Sequence, residues 1–161
     1  MENKTCCFLG HRTIEETEKL RWELCECIER LIIEKQVDTF LFGSKSRFNG
    51  LCLELVTEIR QKYPHIRRIY VRAEFSDIND DYKAYLLERY EDTYYPEALL
   101  NAGKAVYVKR NYEMIDRSNY CIIYYEPLKS HVIRKSGTKI ALDYAIKQKK
   151  QIFCFSGINT C

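Results

Sequence analysis

Apolar positions along this chain fall in short blocks separated by longer stretches with a helical rhythm. "TCCFLG", ending at Gly10, is a compact apolar run with the pattern of a buried strand. From Glu15 to Lys35, Leu20, Leu24, Cys27, Ile28, Leu31 and Ile32 recur at helical spacing. The acids of "TIEETEK" sit at its start, where a helix dipole favours them. "VDTFLFG" reads as a second strand, and Phe48 to Tyr63 as a second helix with a Cys52, Leu55, Val56 and Ile59 stripe and Pro64 past its end. "RRIYVRAEF" predicts a third strand. Ser76 to Gly103 is polar and tyrosine-rich, and reads as short helical pieces in a long connection. "KAVYVK" is expected as the fourth strand, "RNYEMIDRS" as a short helix and "YCIIYYE" as a β-branched, aromatic fifth strand. "PLKSHVIRKSG" reads as a basic loop, Thr138 to Lys149 as a helix and "QIFCFSG" as the last strand.

Strands alternate with helices, and the strands are apolar on both faces. That combination predicts a mainly parallel sheet of about five or six strands with helices on both sides, an α/β, doubly wound, Rossmann-like domain. The 161 residues fit a single domain spanning 1–161. A net charge of +3 is too small to argue for nucleic acid by itself. No apolar run approaches the roughly 20 residues of a membrane span, and "MENKTCCFLG" lacks the long apolar segment of a secretion signal. The expectation is a cytoplasmic protein with no membrane partner.

The eight cysteines contain no CxxC pair, so zinc-ribbon spacing is absent and no metal site is expected. Cys6, Cys121 and Cys154 lie in strand-like runs and Cys52 on a helical stripe, so most are read as reduced core thiols. Tyr82, Tyr85, Tyr90, Tyr94 and Tyr95 have two readings, packing or a cap on a ligand.

In open parallel sheets ligands bind beyond the carboxyl ends of the strands. Gly10, His11, Arg12 and Thr13 follow the first strand here, and Gly43, Ser44, Lys45, Ser46 and Arg47 follow the second. Arg72 and Glu74 end the third, and Glu126 the fifth. The segment holding Arg110 and Asp116 follows the expected fourth strand, and Ser136, Gly137 and Thr138 open the last helix. Basic side chains, hydroxyls and two helix N-termini suit a phosphate, and tyrosines suit a base. Each residue alone also has an ordinary reading: glycines for tight turns, a loop histidine, solvated charges, a Ser cap.

"FLGHR", "RNYEMIDRSNYCIIYY" and "SGTKIALDYA" together resemble the SLOG superfamily, most closely its YpsA-like branch, over about Cys6 to Phe155. The resemblance implies a Rossmann-like fold that binds nucleotides or nucleotide-derived ligands. It places Gly10, His11 and Arg12 at the ligand, with Arg110, Asn111, Met114, Asp116, Arg117 and Ser118, and puts Ser136, Gly137 and Thr138 near phosphate. It also implies a homo-oligomer. Two departures stand out. Where YpsA-like proteins usually carry a glycine-rich stretch, this chain has "FGSKSRFNG", with Lys45 available as a point charge. Where the related LOG phosphoribohydrolases carry a catalytic Glu after a glycine–threonine pair, this chain has Ala141.

The leading expectation is therefore a binding domain for a nucleotide-derived small molecule, a sensor or a sequestering protein, with no cofactor. The alternative is a nucleotide N-glycosidase of LOG type using Glu74, Glu126 or Asp116. Nucleic-acid binding through "KSHVIRKSG" and "KQKK" is the third reading.

Overall fold

A computed structural model describes residues 4–127 and 136–156 of the chain. The elements are β1 (Lys4–Gly10), α1 (Glu18–Lys35), β2 (Val37–Phe42), α2 (Arg47–Ile59), β3 (Arg67–Val71), α3 (Asp80–Leu87), β4 (Asp92–Tyr94), α4 (Val106–Arg117), β5 (Tyr120–Tyr124), α5 (Gly137–Lys147) and β6 (Gln151–Phe155). Two 3₁₀ turns, Glu97–Leu99 and Gly103–Ala105, lead into α4. All strands pair in parallel in one sheet of order β4-β3-β2-β1-β5-β6. The chain winds outward from β1 to β4, then returns to the other side of β1. The topological switch falls between β1 and β5, where this architecture opens a crevice.

Period-two alternation sorts the strand residues onto two covered faces. Cys6 and Phe8 of β1, Phe40 and Phe42 of β2, and Ile122 and Tyr124 of β5 pack with α1 and α2 residues such as Leu24, Ile28, Leu51 and Leu55. Cys7, Leu9, Leu41, Cys121 and Ile123 pack instead with Met114 and Ile115 of α4 and Ala141, Leu142 and Ala145 of α5. Phe8 stacks on Phe40 and Phe42 at 5.8 and 5.0 Å between ring centroids. Each fully buried ring of this kind stabilises the fold by about 2–3 kcal/mol. β5 is buried along its whole length, as its apolar, aromatic sequence requires.

Local chemistry sets the helix ends and corrects several expected boundaries. Thr17 caps α1, its hydroxyl accepting from the Leu20 N–H at 3.1 Å, so Glu15 and Glu16 lie outside the helix and only Glu18 sits in its first turn. α2 starts one residue earlier than expected because Ser46 caps it, and ends at Ile59 rather than Tyr63. α5 starts at Gly137 behind its Ser136 cap.

The expected fourth strand, "KAVYVK", is not a strand. Lys104 and Ala105 are in a 3₁₀ turn, and Val106 to Lys109 form the first turn of α4. No glycine, proline or other break separates this segment from "RNYEMIDRS", so one helix runs through both. The actual fourth strand, Asp92–Tyr94, is a three-residue edge inside the segment read as a connection, too short to show an alternation. Cys6, Cys52 and Cys121 are buried free thiols as expected, whereas Cys154 is disulfide-bonded rather than reduced. Most of the basic loop, and Cys161, fall outside the described residues.

Candidate functional site

A cavity of about 760 Å³ opens at the carboxyl edge of the sheet. Its walls come from the ends of β1 and β3, the loops after β1, β2 and β3, α4 from Tyr107 to Met114 and the start of α5. Two glycines let these walls close on one another. A Cβ on Gly10 would stand 2.4 Å from the Phe48 ring of α2. One on Gly43 would stand 2.4 Å from Met114 Sδ and 2.9 Å from Arg110 Cδ. Neither glycine has a positive φ, so close approach, not turn geometry, demands them.

The α2 N-terminus is largely satisfied from within the fold. Its Arg47 N–H donates to Arg12 O at 2.9 Å and its Asn49 N–H to Ser46 Oγ at 3.2 Å. The Ser44 hydroxyl lies 2.8 Å from that of Ser46, so these two serines brace the turn. Arg47 itself points away from the cavity and forks onto Glu16, at 2.7 Å, with Glu54 at 3.3 Å. The α5 N-terminus differs. Ser136 Oγ accepts from the Lys139 N–H, which leaves the Gly137 and Thr138 N–H groups without a partner among the described residues, at the cavity wall. A Cβ on Gly137 would meet nothing within 4 Å among the described residues. Ala141, one turn further along α5, is fully buried and also lines the cavity.

Arg110, on the neighbouring helix α4, lines the same cavity. It is only 6% exposed. Among the described residues it forms no ion pair, and its guanidinium makes a single hydrogen bond, from Nε to Asn111 Oδ1 at 3.3 Å. Its Cζ lies 5.6 Å from the centre of the Tyr107 ring. Burial pulls its pKa below the ordinary guanidinium value, yet an arginine keeps its charge at neutral pH. A buried cation without an ion pair, in a cavity also lined by N–H groups that no described residue engages, is an arrangement that an anion completes.

The rim is built from three elements. Lys45 Nζ lies 3.8 Å from Glu74 Oε2, and the Tyr107 hydroxyl donates to Glu74 Oε1 at 3.3 Å. Lys45 is 72% exposed, so this ion pair contributes little to stability, about 0–1 kcal/mol. Lys45→Ala is expected to lower the melting temperature by no more than about 4 °C. The same change is expected to weaken binding of phosphate-bearing ligands several-fold, measured by calorimetry. Unchanged affinity would make this loop a turn and nothing more.

His11 joins the cavity to the switch point. The Glu126 backbone N–H donates to His11 Nε2 at 3.0 Å, so that nitrogen is an acceptor and the ring hydrogen sits on Nδ1. The buried Glu126 carboxylate is held by the Tyr124 hydroxyl in a short hydrogen bond, and Tyr124 also accepts from the Glu15 N–H at 3.3 Å. Burial, with the neighbouring Glu126 carboxylate, pushes the Tyr124 pKa up to about 12.

Of the residues expected at the site, Gly10, His11, Arg12, Gly43, Ser44, Lys45, Glu74, Arg110, Asn111, Met114, Ser136, Gly137 and Thr138 line this one cavity. Arg72, Asp116, Arg117, Ser118 and Glu126 are not among its lining residues. Arg72 braces the loop after β3, donating to Phe75 O, Ser76 O and Thr93 Oγ1. Asp116 to Ser118 lie six to eight residues along α4 from Arg110, roughly 9–12 Å towards the opposite edge of the sheet. There Asp116 accepts from the Tyr144 hydroxyl at 2.8 Å, Arg117 pairs with Glu113 at 2.7 Å, and the Ser118 hydroxyl donates to Met114 O. None of the five tyrosines between Asp77 and Tyr95 lines the cavity, while Tyr70 and Tyr107, which were not expected there, do. Tyr107 was legible in principle: with Arg110, Asn111 and Met114 it falls at helical spacing once "KAVYVK" is read as helix. No family model matches the chain and no curated protein matches it, so the cleft stands on its own geometry.

Proposed function

We propose that the protein binds a nucleotide or nucleotide-derived small molecule in this cleft, as the SLOG resemblance implies. The carrying observation is Arg110, buried and without a carboxylate partner among the described residues, in the cavity that the first residues of α5 also line. A buried charge left unpaired is costly, and a phosphate oxygen is its natural complement. The volume is in the range of small-molecule sites, about 300–1,000 Å³, and Tyr107 of α4 and Tyr70 of β3 supply aromatic surface to it.

Binding is favoured over turnover. Glu126 is engaged by Tyr124 and Asp116 by Tyr144, and Ala141 occupies the wall where the resemblance would put a catalytic carboxylate. That leaves Glu74 as the one carboxylate lining the cavity among the described residues.

Thermal shift against nucleoside mono- and diphosphates, ADP-ribose derivatives and cyclic dinucleotides tests the reading. At least one is expected to raise the melting temperature of the protein in proportion to the logarithm of its concentration. No stabilisation by any phosphate-bearing compound would refute the proposal, and free base released from a nucleoside monophosphate would convert it into the hydrolase reading.

A further inference from the structure

We infer that Glu74 makes the cleft selective for ribonucleotides, by accepting hydrogen bonds from the vicinal hydroxyls of the sugar. The inference rests on the nucleotide reading above and adds the ligand class. Among the described residues, three cationic side chains line the cavity, Arg12, Lys45 and Arg110, against one carboxylate, Glu74. A carboxylate next to an anion site repels the anion, so its placement favours a ligand that brings a neutral hydrogen-bond donor to that spot. Glu74 has the capacity. An ionised carboxylate has about four acceptor positions, and here one is used by the Tyr107 hydroxyl at 3.3 Å. Lys45, at 3.8 Å and largely exposed, is held loosely.

Position identifies the donor. In a nucleotide the sugar lies between phosphate and base. Glu74 sits on the far side of Tyr107 from Arg110: it accepts from the Tyr107 hydroxyl, the Tyr107 ring neighbours the Arg110 guanidinium, and Tyr70 lines the same cavity. With phosphate on Arg110 and a base against the tyrosine rings, the sugar edge comes to Glu74. A vicinal diol donates two parallel hydrogen bonds to one carboxylate, and a 2′-deoxy sugar offers only one hydroxyl there.

The test compares the common ribonucleoside monophosphates, their 2′-deoxy counterparts and inorganic pyrophosphate, titrated calorimetrically into the wild type and Glu74→Gln. A lost hydrogen bond to a charged group corresponds to roughly a tenfold or larger fall in affinity. The wild type is therefore expected to bind the best ribonucleotide about tenfold or more tightly than its deoxy counterpart. In Glu74→Gln that ratio is expected to fall towards one, while pyrophosphate binds as well or better because Lys45 is released. Equal affinity for both sugars in the wild type, or a ratio that Glu74→Gln leaves untouched, would overturn the inference while leaving the anion site standing. Absence of binding by every compound, pyrophosphate included, would remove the cleft reading and this one with it.

Discussion

Arg110→Met is expected to make the ligand-free protein more stable and to abolish most of its ligand affinity. Both effects come from the same fact. The guanidinium is 6% exposed, its one hydrogen bond goes to Asn111 and no carboxylate pairs with it among the described residues. Methionine has similar length and no charge, and Met114 and Gly43 already provide an apolar contact surface. Replacing a poorly compensated buried charge by a packed apolar side chain is expected to contribute about 1–2 kcal/mol. For a chain of this size that raises the melting temperature by roughly 2–8 °C. Losing a charge-assisted, forked contact to phosphate costs roughly 2–4 kcal/mol, or about 30- to 1,000-fold in affinity. Arg110→Lys, with the charge but without the fork, is expected to fall between. Calorimetric melting of the free proteins and titration with the best ligand from the panel measure both effects. A methionine variant that is less stable and binds as well as the wild type would make Arg110 a structural residue, held by Tyr107 and Asn111 alone.

The opposing signs explain why this site was only partly legible in the sequence. A strand that ends at a glycine marks a sheet edge, so Gly10 and Gly43 led to the right side of the molecule. What the glycines do there was not legible, because the Phe48, Met114 and Arg110 atoms that crowd them belong to other elements. β1, β2 and β5 were readable because they are buried on both faces and nearly all apolar. β4 was not, because three residues paired on one side to β3 carry too little pattern. The error over Val106 to Lys109 had a direct cost at the site. Reading that stretch as a strand hid Tyr107. It also grouped Asp116, Arg117 and Ser118 with Arg110, although a helix that returns to the amino edge carries them away from it. The rim contacts between Lys45, Glu74 and Tyr107 join three elements distant in sequence, and only the folded chain brings them together.

Glu91→Ala is expected to destabilise the protein by about 3–5 kcal/mol, because it takes the carboxylate partner from a buried arginine. Arg68, in β3, has a side chain only 10% exposed. Its backbone N–H reaches Glu91 Oε2 at 2.6 Å, its Nε the same oxygen at 3.0 Å and its Nη2 the other oxygen at 2.7 Å. Arg60, at the end of α2, adds Nε to Glu91 Oε1 at 3.1 Å, and the Glu91 N–H donates back to Arg68 O at 2.8 Å. One carboxylate thus ties the end of α2 and β3 to the segment that leads into β4. Burial alone would raise its pKa, but the Arg68 hydrogen bonds and the charges of both arginines outweigh that, and the carboxyl titrates below the ordinary value of 4.5. A depressed folded-state pKa fixes the sign: the stabilisation is complete above the unfolded value and is lost as the pH falls through the lower folded value. Near neutral pH the variant is expected to melt roughly 6–20 °C below the wild type. The gap is expected to narrow as the pH falls below 4.5, since the wild type loses the contribution the variant never had. Melting curves of both proteins over that range decide it. A gap that is small near neutrality, or that persists undiminished in acid, would show that the Arg68–Glu91 pairing is not what joins these elements.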